Sequence, residues 1–259
     1  MRKLLRGKEP KEQQVRCLRC LVFGLGDTLL LAKTGFGKSI IFHAYSILTG
    51  KITIQLVPLT KLGDEQAAEI NAYNVAGTKA CLVSHETKEK IMGLISEIRR
   101  GDYTHIVISP EQTAMDWFLD LVRDVDFRDR IGLVAIDECH LVSTWATFRE
   151  AYAKVFTLRS NLLPSVVWFG CTATLTREQE VEVLQFGGFR REGHGPGELE
   201  IVRTSIDRPD ISFHFLPIPP KKQASLQCLH PLLTKQSAIS LHLALGSTVL
   251  LTHQVLRSQ

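Results

Sequence analysis

The sequence predicts an α/β fold with a mostly parallel sheet and helices on both faces. Six short runs rich in β-branched and apolar residues alternate with helical stretches, which is the pattern of strand–helix–strand units. The runs are Thr28–Leu31, Ile52–Val57, Ala80–Val83, His105–Ser109, Ile131–Ile136 and Ser165–Gly170. A length of 259 residues, with 44% apolar and 22% charged residues, suits one α/β domain and part of a second.

Helices are predicted between these strands, and an additional helix precedes them. The helical stretches are Gln14–Val22, Ser39–Leu48, Lys61–Ala72, Lys88–Arg99 and Arg177–Phe186. In a parallel sheet of this kind, ligands bind beyond the carboxyl ends of the strands. We therefore expect functional residues directly after the strands.

Charge and cysteine content limit the class of protein. Residues 1–19 carry seven Lys or Arg and two Glu, so this arm is basic, whereas the whole chain has a net charge of +4. The arm is either a solvated face or a phosphate-contacting segment.

Cys17 and Cys20 form a lone C-x-x-C without a second pair at zinc spacing, so we expect no zinc and six free thiols. No secretory signal and no run of about 18 apolar residues is present, which predicts an intracellular protein without a membrane span.

A phosphate loop is predicted at "AKTGFGKS", between the first strand and the following helix. The pattern G-x-x-x-x-G-K-[ST] is met except at its first position, which is Ala32. Gly35 and Gly37 let the backbone approach an anion, Lys38 can reach the β- and γ-phosphates, and Ser39 can offer its hydroxyl to Mg²⁺. An ordinary glycine turn before a helix is the alternative. The predicted phosphate-binding residues of the loop are Ala32, Lys33, Thr34, Gly35, Phe36, Gly37, Lys38 and Ser39.

A second group of polar residues follows the strand at Ile131–Ile136, in the segment "DECH". A carboxylate at the carboxyl end of a strand can face the phosphate loop, so Asp137 is predicted to hold Mg²⁺ together with Ser39. Glu138 could polarise the attacking water, and His140 could respond to the γ-phosphate. The next strand ends in a predicted coupling set of Thr172, Ala173 and Thr174. Solvated turn residues and a threonine-rich strand end are the alternatives.

The order of these motifs resembles that of superfamily 2 helicases, and within them the RecQ-like group. The similar segments are "AKTGFGKS", "LVPLTKLGDEQ", "VISPEQ", "DECH", "CTATLT" and "SIDRPD", within residues 10–215. The resemblance implies a RecA-like P-loop domain that uses ATP and Mg²⁺ for 3′–5′ DNA unwinding, a hydrolase of the nucleus acting in DNA repair and recombination. It implies catalytic roles for Lys38, Asp137 and Glu138. It also implies that Gln14 contacts adenine.

The segment "HLVSTWATFRE" resembles the aromatic-rich loop with which RecQ-like helicases couple DNA contact to ATP hydrolysis. The resemblance makes Trp145, Phe148 and Arg149 candidate contacts to single-stranded DNA or to a duplex with a single-stranded tail. A core position for Trp145 is the alternative. The sequence departs from the family pattern in a loop one residue shorter, in Lys11 where the family has arginine, and in the lack of an aromatic residue before Gln14.

The resemblance implies a RecA-like ATP-binding domain, which we place over residues 1–217, including the basic arm 1–19, followed by a linker and an atypical or truncated tail over 218–259. The glycine- and charge-rich stretch 186–200 is predicted to be a surface loop. No Q-x-x-G-R-x-G-R motif follows Pro220, so we expect that a second RecA-like domain, in cis or in trans, is needed for full activity.

Two other functions stay open at this point. The chain could be a binding module that holds nucleotide or nucleic acid without turnover. It could also be a small-molecule P-loop kinase, although only the phosphate loop supports this function.

Overall fold

The structure is a computed structural model that describes residues 9–57, 60–84, 91–146, 155–193, 197–207, 211–217, 238–243 and 248–254, together with Leu4, Gly7 and Ala151. Contacts between Cα atoms divide the chain into two units, Met1–Ile206 and Asp207–Gln259. The boundary predicted at residue 217 stays a prediction. No helix within the described ranges is long and apolar enough to cross a membrane.

The first unit alternates strands and helices. Its helices are α1 Glu12–Val22, α2 Ser39–Thr49, α3 Thr60–Ala72, α4 Ile91–Arg100, α5 Pro110–Thr113, α6 Asp116–Arg123, α7 Val125–Arg128, α8 His140–Ala146, α9 Phe156–Asn161 and α10 Arg177–Phe186. Its strands are β1 Gly26–Leu31, β2 Ile52–Leu56, β3 Ala80–Val83, β4 His105–Ile108, β5 Ile131–Asp137, β6 Val167–Thr172 and β7 Glu198–Arg203.

The seven strands form one sheet in the order β3-β4-β2-β5-β6-β1-β7, and all of its neighbouring pairs are parallel. Strands β1, β2, β4, β5 and β6 are buried at every position, which explains why apolar residues predominate in them. The predicted α/β fold with a mostly parallel sheet is confirmed. Because β5, β6 and β1 are neighbours, the segments that follow them meet at one edge.

Hydrophobic clusters cover both faces of the sheet. Leu29 belongs to the cluster that includes Trp168, and its neighbour Leu30 belongs to the cluster that includes Phe42 of α2. Successive side chains of a strand point to opposite faces, so adjacent leucines serve different clusters. Helices α1 and α2 pack on one face, where Leu21 and Phe42 are fully buried.

All six predicted strands are present, with ends that differ by at most two residues. The predicted surface loop 186–200 is wrong at its end, because β7 begins at Glu198 and pairs along β1 up to Leu31. The sequence did not indicate this edge strand because three of its six residues are charged, and only Leu199 and Val202 are buried. Gly26 permits the pairing, because a Cβ atom there would lie 1.9 Å from the carbonyl oxygen of Glu198.

The second unit contains a three-stranded antiparallel sheet in the order β8-β10-β9. Its strands are β8 Ile211–Pro217, β9 Ala238–Leu243 and β10 Thr248–Gln254. Strand β8 ends at Pro217, directly before the linker and tail that the sequence predicts over 218–259.

Candidate nucleotide-binding site

The phosphate loop starts where β1 ends, between the two strands that flank β1. The backbone N–H of Ala32 donates to the carbonyl oxygen of Thr172 at the end of β6, over 3.0 Å. On the other side, the backbone N–H of Thr204 donates to the carbonyl oxygen of Leu31 over 2.9 Å. The first residue of the loop is therefore fixed by the sheet, and the following residues turn above its carboxyl edge.

Two glycines give the phosphate loop its shape. Gly35 has φ 78° and Gly37 has φ 86°, both in the left-handed region that favours glycine. Between Lys33 and Phe36 the loop makes a tight turn, in which the Phe36 N–H donates to the Lys33 carbonyl oxygen over 3.1 Å. The exposed Thr34 lies within this turn. The predicted glycine turn is present, and the approach of its backbone to a phosphate stays a prediction.

Lys38 and Ser39 stand at the start of α2. The Lys38 side chain is only 8% exposed and its Nζ donates to the carbonyl oxygen of Ala32 over 3.2 Å, so the ammonium group lies across the loop. Ser39 is the half-buried first residue of α2, an 11-residue helix. The N-terminal end of such a helix carries partial positive charge and unpaired N–H groups, which suit a phosphate.

Gln14 and Lys11 hold the phosphate loop from the side of α1. Gln14 is 2% exposed, and its Nε2 donates to the carbonyl oxygens of Phe36, over 3.1 Å, and Gly37, over 3.0 Å. Its Oε1 accepts from the backbone N–H of Lys11 over 2.9 Å. Lys11 Nζ also donates to the Phe36 carbonyl oxygen over 2.8 Å and lies 4.2 Å from the centre of its ring. The adenine contact of Gln14 stays a prediction, and Lys11 is a loop contact that we did not predict.

Asp137 ends β5 with its carboxylate held by three donors. Its Oδ2 accepts from Gln66 Nε2 over 2.6 Å, and its Oδ1 accepts from the Glu138 N–H over 3.0 Å and from Cys171 Sγ over 3.3 Å. The side chain is buried, and burial raises the pKa of Asp137 while these hydrogen bonds oppose the rise. An oriented, buried carboxylate is a suitable ligand for Mg²⁺.

Glu138, His140 and two threonines form a connected group. His140 Nδ1 lies 2.8 Å from Thr172 Oγ1 and 3.4 Å from Glu138 Oε2. Thr172 Oγ1 in turn donates to the Thr174 carbonyl oxygen over 3.0 Å. The hydrogen bond from His140 lowers the pKa of Glu138, and the charge of Lys38 acts in the same direction. The "DECH" segment, the threonines and the phosphate-loop lysine therefore share one site.

Glu138 has an unusual backbone conformation. Its φ is 48°, and within the described ranges it is one of two non-glycine residues with positive φ. Such a conformation costs of the order of 1–3 kcal/mol and is common at functional sites. Glu138 lies in the short turn between β5 and α8.

The family of the chain follows from the same residues. The DEAD/DEAH box helicase model matches residues 11–182, a range that contains the phosphate loop, the "DECH" segment and the two threonines. The chain belongs to the DEAD/DEAH box helicase family.

Curated relatives of this helicase-family chain have RecQ-type names. The mouse bifunctional 3′-5′ exonuclease/ATP-dependent helicase WRN is 27% identical over 249 residues, 89% of this chain and 16% of WRN. The Arabidopsis thaliana ATP-dependent DNA helicase Q-like SIM is 30% identical over 196 residues, 72% of this chain and 21% of that protein. The Bacillus subtilis ATP-dependent DNA helicase RecQ is 27% identical over 202 residues, 77% of this chain and 32% of RecQ. The RecQ-like resemblance is confirmed, and the chain spans at most about a third of these relatives.

Solved helicase structures share the fold. The Pyrococcus furiosus Hef helicase domain has a TM-score of 0.55 at 18% identity, covering 81% of this chain and 40% of that one. The DUF1998 helicase MrfA bound to DNA and AMPPNP has a TM-score of 0.58 at 16% identity, covering 78% of this chain and 28% of that one. These similarities confirm the predicted RecA-like helicase fold.

Ala173 and the three predicted DNA contacts complete the set of predicted site residues. Ala173 is half-buried between the two coupling threonines. Trp145 belongs to α8, but its side chain lies outside the described residues, as do Phe148 and Arg149. The DNA contacts of these three residues therefore stay predictions.

Sequence reasoning also missed side-chain links that helices make around the site. Gln66 reaches Asp137 from α3, and Ser143 of α8 donates a hydrogen bond to Glu182 of α10. The second link joins the helix that follows the "DECH" segment to the helix that follows the threonines. A polar residue on the apolar face of a predicted helix is the signal that could have identified Gln66.

Proposed function

We propose that this chain contains the ATP-binding motor domain of a RecQ-like, ATP-dependent 3′–5′ DNA helicase. One observation carries the proposal: the phosphate loop follows β1, and Asp137 and Glu138 lie at the end of β5, so the two groups flank Thr172 at the end of the intervening strand β6. The strand registers support it, since Leu31 pairs with Thr172 and Asp137 pairs with Cys171. This is the arrangement expected for nucleotide hydrolysis at a sheet edge.

Each site residue has a role in this proposal. Lys38 and the N-terminal end of α2 bind the β- and γ-phosphates, while Ser39 and Asp137 hold Mg²⁺. Bound Mg²⁺ neutralises charge that develops on the phosphates. Glu138 orients and deprotonates the attacking water, and its lowered pKa keeps it ionised as a base requires. His140 transmits the state of the site to the segment at Thr172 through their hydrogen bond.

The DNA substrate, the second RecA-like domain and the cellular role are also proposals, because the chain covers only a minor part of the length of its relatives. Single-stranded DNA, or a duplex with a single-stranded tail, is the proposed substrate. A second RecA-like domain, in cis or in trans, supplies arginines that can raise turnover by about 10³–10⁵ in related P-loop hydrolases. A nuclear role in DNA repair and recombination accompanies the DNA substrate.

The test uses the 259-residue chain with and without a second RecA-like domain. Calorimetry should detect Mg²⁺-dependent binding of a non-hydrolysable ATP analogue. ATP hydrolysis should be very weak for the chain alone and should increase at least about 10³-fold when the second domain and single-stranded DNA are added. The Glu138→Gln variant should bind nucleotide and lose this stimulated hydrolysis.

Two results would contradict the proposal. Nucleotide binding without any hydrolysis, even with the second domain and DNA present, would favour a non-hydrolysing binding module. Equal hydrolysis by the parent chain and Glu138→Gln would show that the catalytic base lies elsewhere.

A further inference from the structure

The Gln66 side chain links α3 to the carboxylate of Asp137. Its Nε2 donates to Asp137 Oδ2 over 2.6 Å, and the two residues are 71 positions apart in sequence. The other two donors to this carboxylate, the Glu138 N–H and Cys171 Sγ, come from the segment after β5 and from the neighbouring strand β6. Gln66 is thus the contact by which α3 can affect the orientation of Asp137.

Gly63 explains how Gln66 comes close enough. A Cβ atom at Gly63 would lie 2.7 Å from Leu82 Cδ1 and 3.2 Å from Val57 Cγ2, so α3 packs directly on the sheet at this position. Gln66 lies three residues later and therefore on the same face of the helix. The close packing at Gly63 places the Gln66 amide above the carboxyl end of β5.

The Gln66 amide has one unused polar atom. Its Oε1 is buried and has no hydrogen-bond partner among the residues that the structure describes. A buried carbonyl oxygen without a partner is costly, and native proteins usually give it one. This oxygen belongs to the same amide that contacts Asp137, so it lies beside the carboxylate that we assign to Mg²⁺. Because bound Mg²⁺ usually keeps several water molecules, it would bring donors to this position.

We propose that Gln66 is a positioning residue of the metal site. Its amide nitrogen fixes the orientation of Asp137, and its amide oxygen accepts a hydrogen bond from a water molecule bound to Mg²⁺. The inference rests on the proposed function, since it requires Mg²⁺ at Asp137. It makes metal affinity depend on the position of α3, whose N-terminal part belongs to the segment 56–66 that resembles a helicase motif.

The test compares the parent chain with Gln66→Met, which keeps the length of an unbranched side chain and removes both hydrogen bonds. Binding of a fluorescent ATP analogue is measured in EDTA and over a series of Mg²⁺ concentrations. The Mg²⁺ concentration for half-maximal enhancement should rise at least about tenfold, the usual effect of losing a partner of a metal ligand. Affinity in EDTA should stay within about twofold of the parent, because Gln66 acts through the metal.

Gln55→Met is the matched control. Gln55 is a buried amide on β2, and it has no hydrogen-bond partner within the described ranges. Its replacement should leave the Mg²⁺ dependence unchanged. If Gln66→Met fails to fold, Gln66→Asn replaces it, since its shorter amide cannot reach Asp137, and the same shift is expected.

Failure of the metal site and failure of the Gln66 role would give different binding results. A parent chain that binds nucleotide equally well in EDTA and Mg²⁺ would overturn the metal site and this inference together. A Mg²⁺-dependent parent with an identical Gln66→Met variant would overturn the role of Gln66 alone. Equal weakening in EDTA and in Mg²⁺ would show that Gln66 has a structural role only.

Discussion

Gln14 Nε2 lies 3.0 Å from the carbonyl oxygen of Gly37, so a helix that precedes the sheet is hydrogen-bonded directly to the phosphate loop. The same amide nitrogen donates to the carbonyl oxygen of Phe36, which occupies both of its hydrogens. Donation from this amide to adenine would require it to release at least one of these bonds. Base binding and loop conformation are therefore connected through one side chain.

The Gln14 amide should be necessary for tight nucleotide binding. Gln14→Ala removes the bonds to Phe36 and Gly37, so the affinity for ATP should fall at least about tenfold, or 1.4 kcal/mol. Gln14→Glu keeps an acceptor for the Lys11 N–H but cannot donate to the loop, and it should lose nearly as much. Calorimetry with ATP and GTP measures both effects. A parent chain that binds the two nucleotides equally would contradict the adenine contact, while unchanged ATP binding by both variants would contradict the connection.

Lys38 should be necessary for nucleotide binding. Its buried ammonium group spans the phosphate loop to Ala32, where phosphate oxygens would replace the carbonyl oxygen as its partner. Lys38→Ala should weaken Mg-ATP binding at least about tenfold, or 1.4 kcal/mol, by calorimetry. The exposed Lys51, which precedes β2, provides a matched control, and Lys51→Ala should bind like the parent. Equal binding by Lys38→Ala would remove the basis for the phosphate-loop assignment.

Local sequence patterns were sufficient for the phosphate loop and for the "DECH" segment, because their residues are consecutive and follow buried strands. The contacts that fix those residues were not predictable in the same way. Gln66 reaches Asp137 across 71 positions and Arg159 reaches Asp27 across 132 positions. Such pairs leave no local pattern, since only the tertiary fold brings them together. Strand β7 was missed because an edge strand needs few apolar residues.

The Asp27 cluster should contribute strongly to stability. Asp27 is fully buried at the start of β1, where its carboxylate is paired with Arg159 and accepts from the backbone N–H groups of Arg190 and Trp168, each over 2.9 Å. Asp27→Ala leaves a partly buried Arg159 without its carboxylate, and the free energy of unfolding should fall by about 3–5 kcal/mol.

Urea denaturation measures this loss. Asp120→Ala, at an exposed ion pair with Arg123, is the control and should change stability by less than about 0.5 kcal/mol. A loss below about 1 kcal/mol for Asp27→Ala would mean that the buried cluster stabilises the protein no more than exposed ion pairs do.

Two histidines lie in the interior between α2 and the sheet. His43 and His105 are fully buried, with ring centroids 6.1 Å apart. His43 Nδ1 lies 3.2 Å from the Tyr73 hydroxyl, which donates to Glu69, and His105 Nδ1 lies 3.0 Å from Thr104 Oγ1. Burial lowers the pKa of His43 to about 3 and that of His105 to about 4. Both rings are therefore neutral in the folded protein at pH 5–7.

These pKa values predict that the fold loses stability with falling pH already at pH values above the range in which carboxylates titrate. An unfolded histidine binds a proton near pH 6.5, whereas the folded state resists protonation until about pH 4, so the unfolded state gains protons first as the pH falls. The free energy of unfolding should therefore decrease below pH 6.5, by up to about 1.4 kcal/mol per pH unit for each histidine. Urea denaturation between pH 5 and pH 7 measures this slope. His43→Gln should make the slope shallower by about half, because one of the two histidines whose pKa is lowered by burial is lost. A double variant with His105→Gln should be nearly flat over the same range, and a slope equal to that of the parent would show that other groups cause the acid sensitivity.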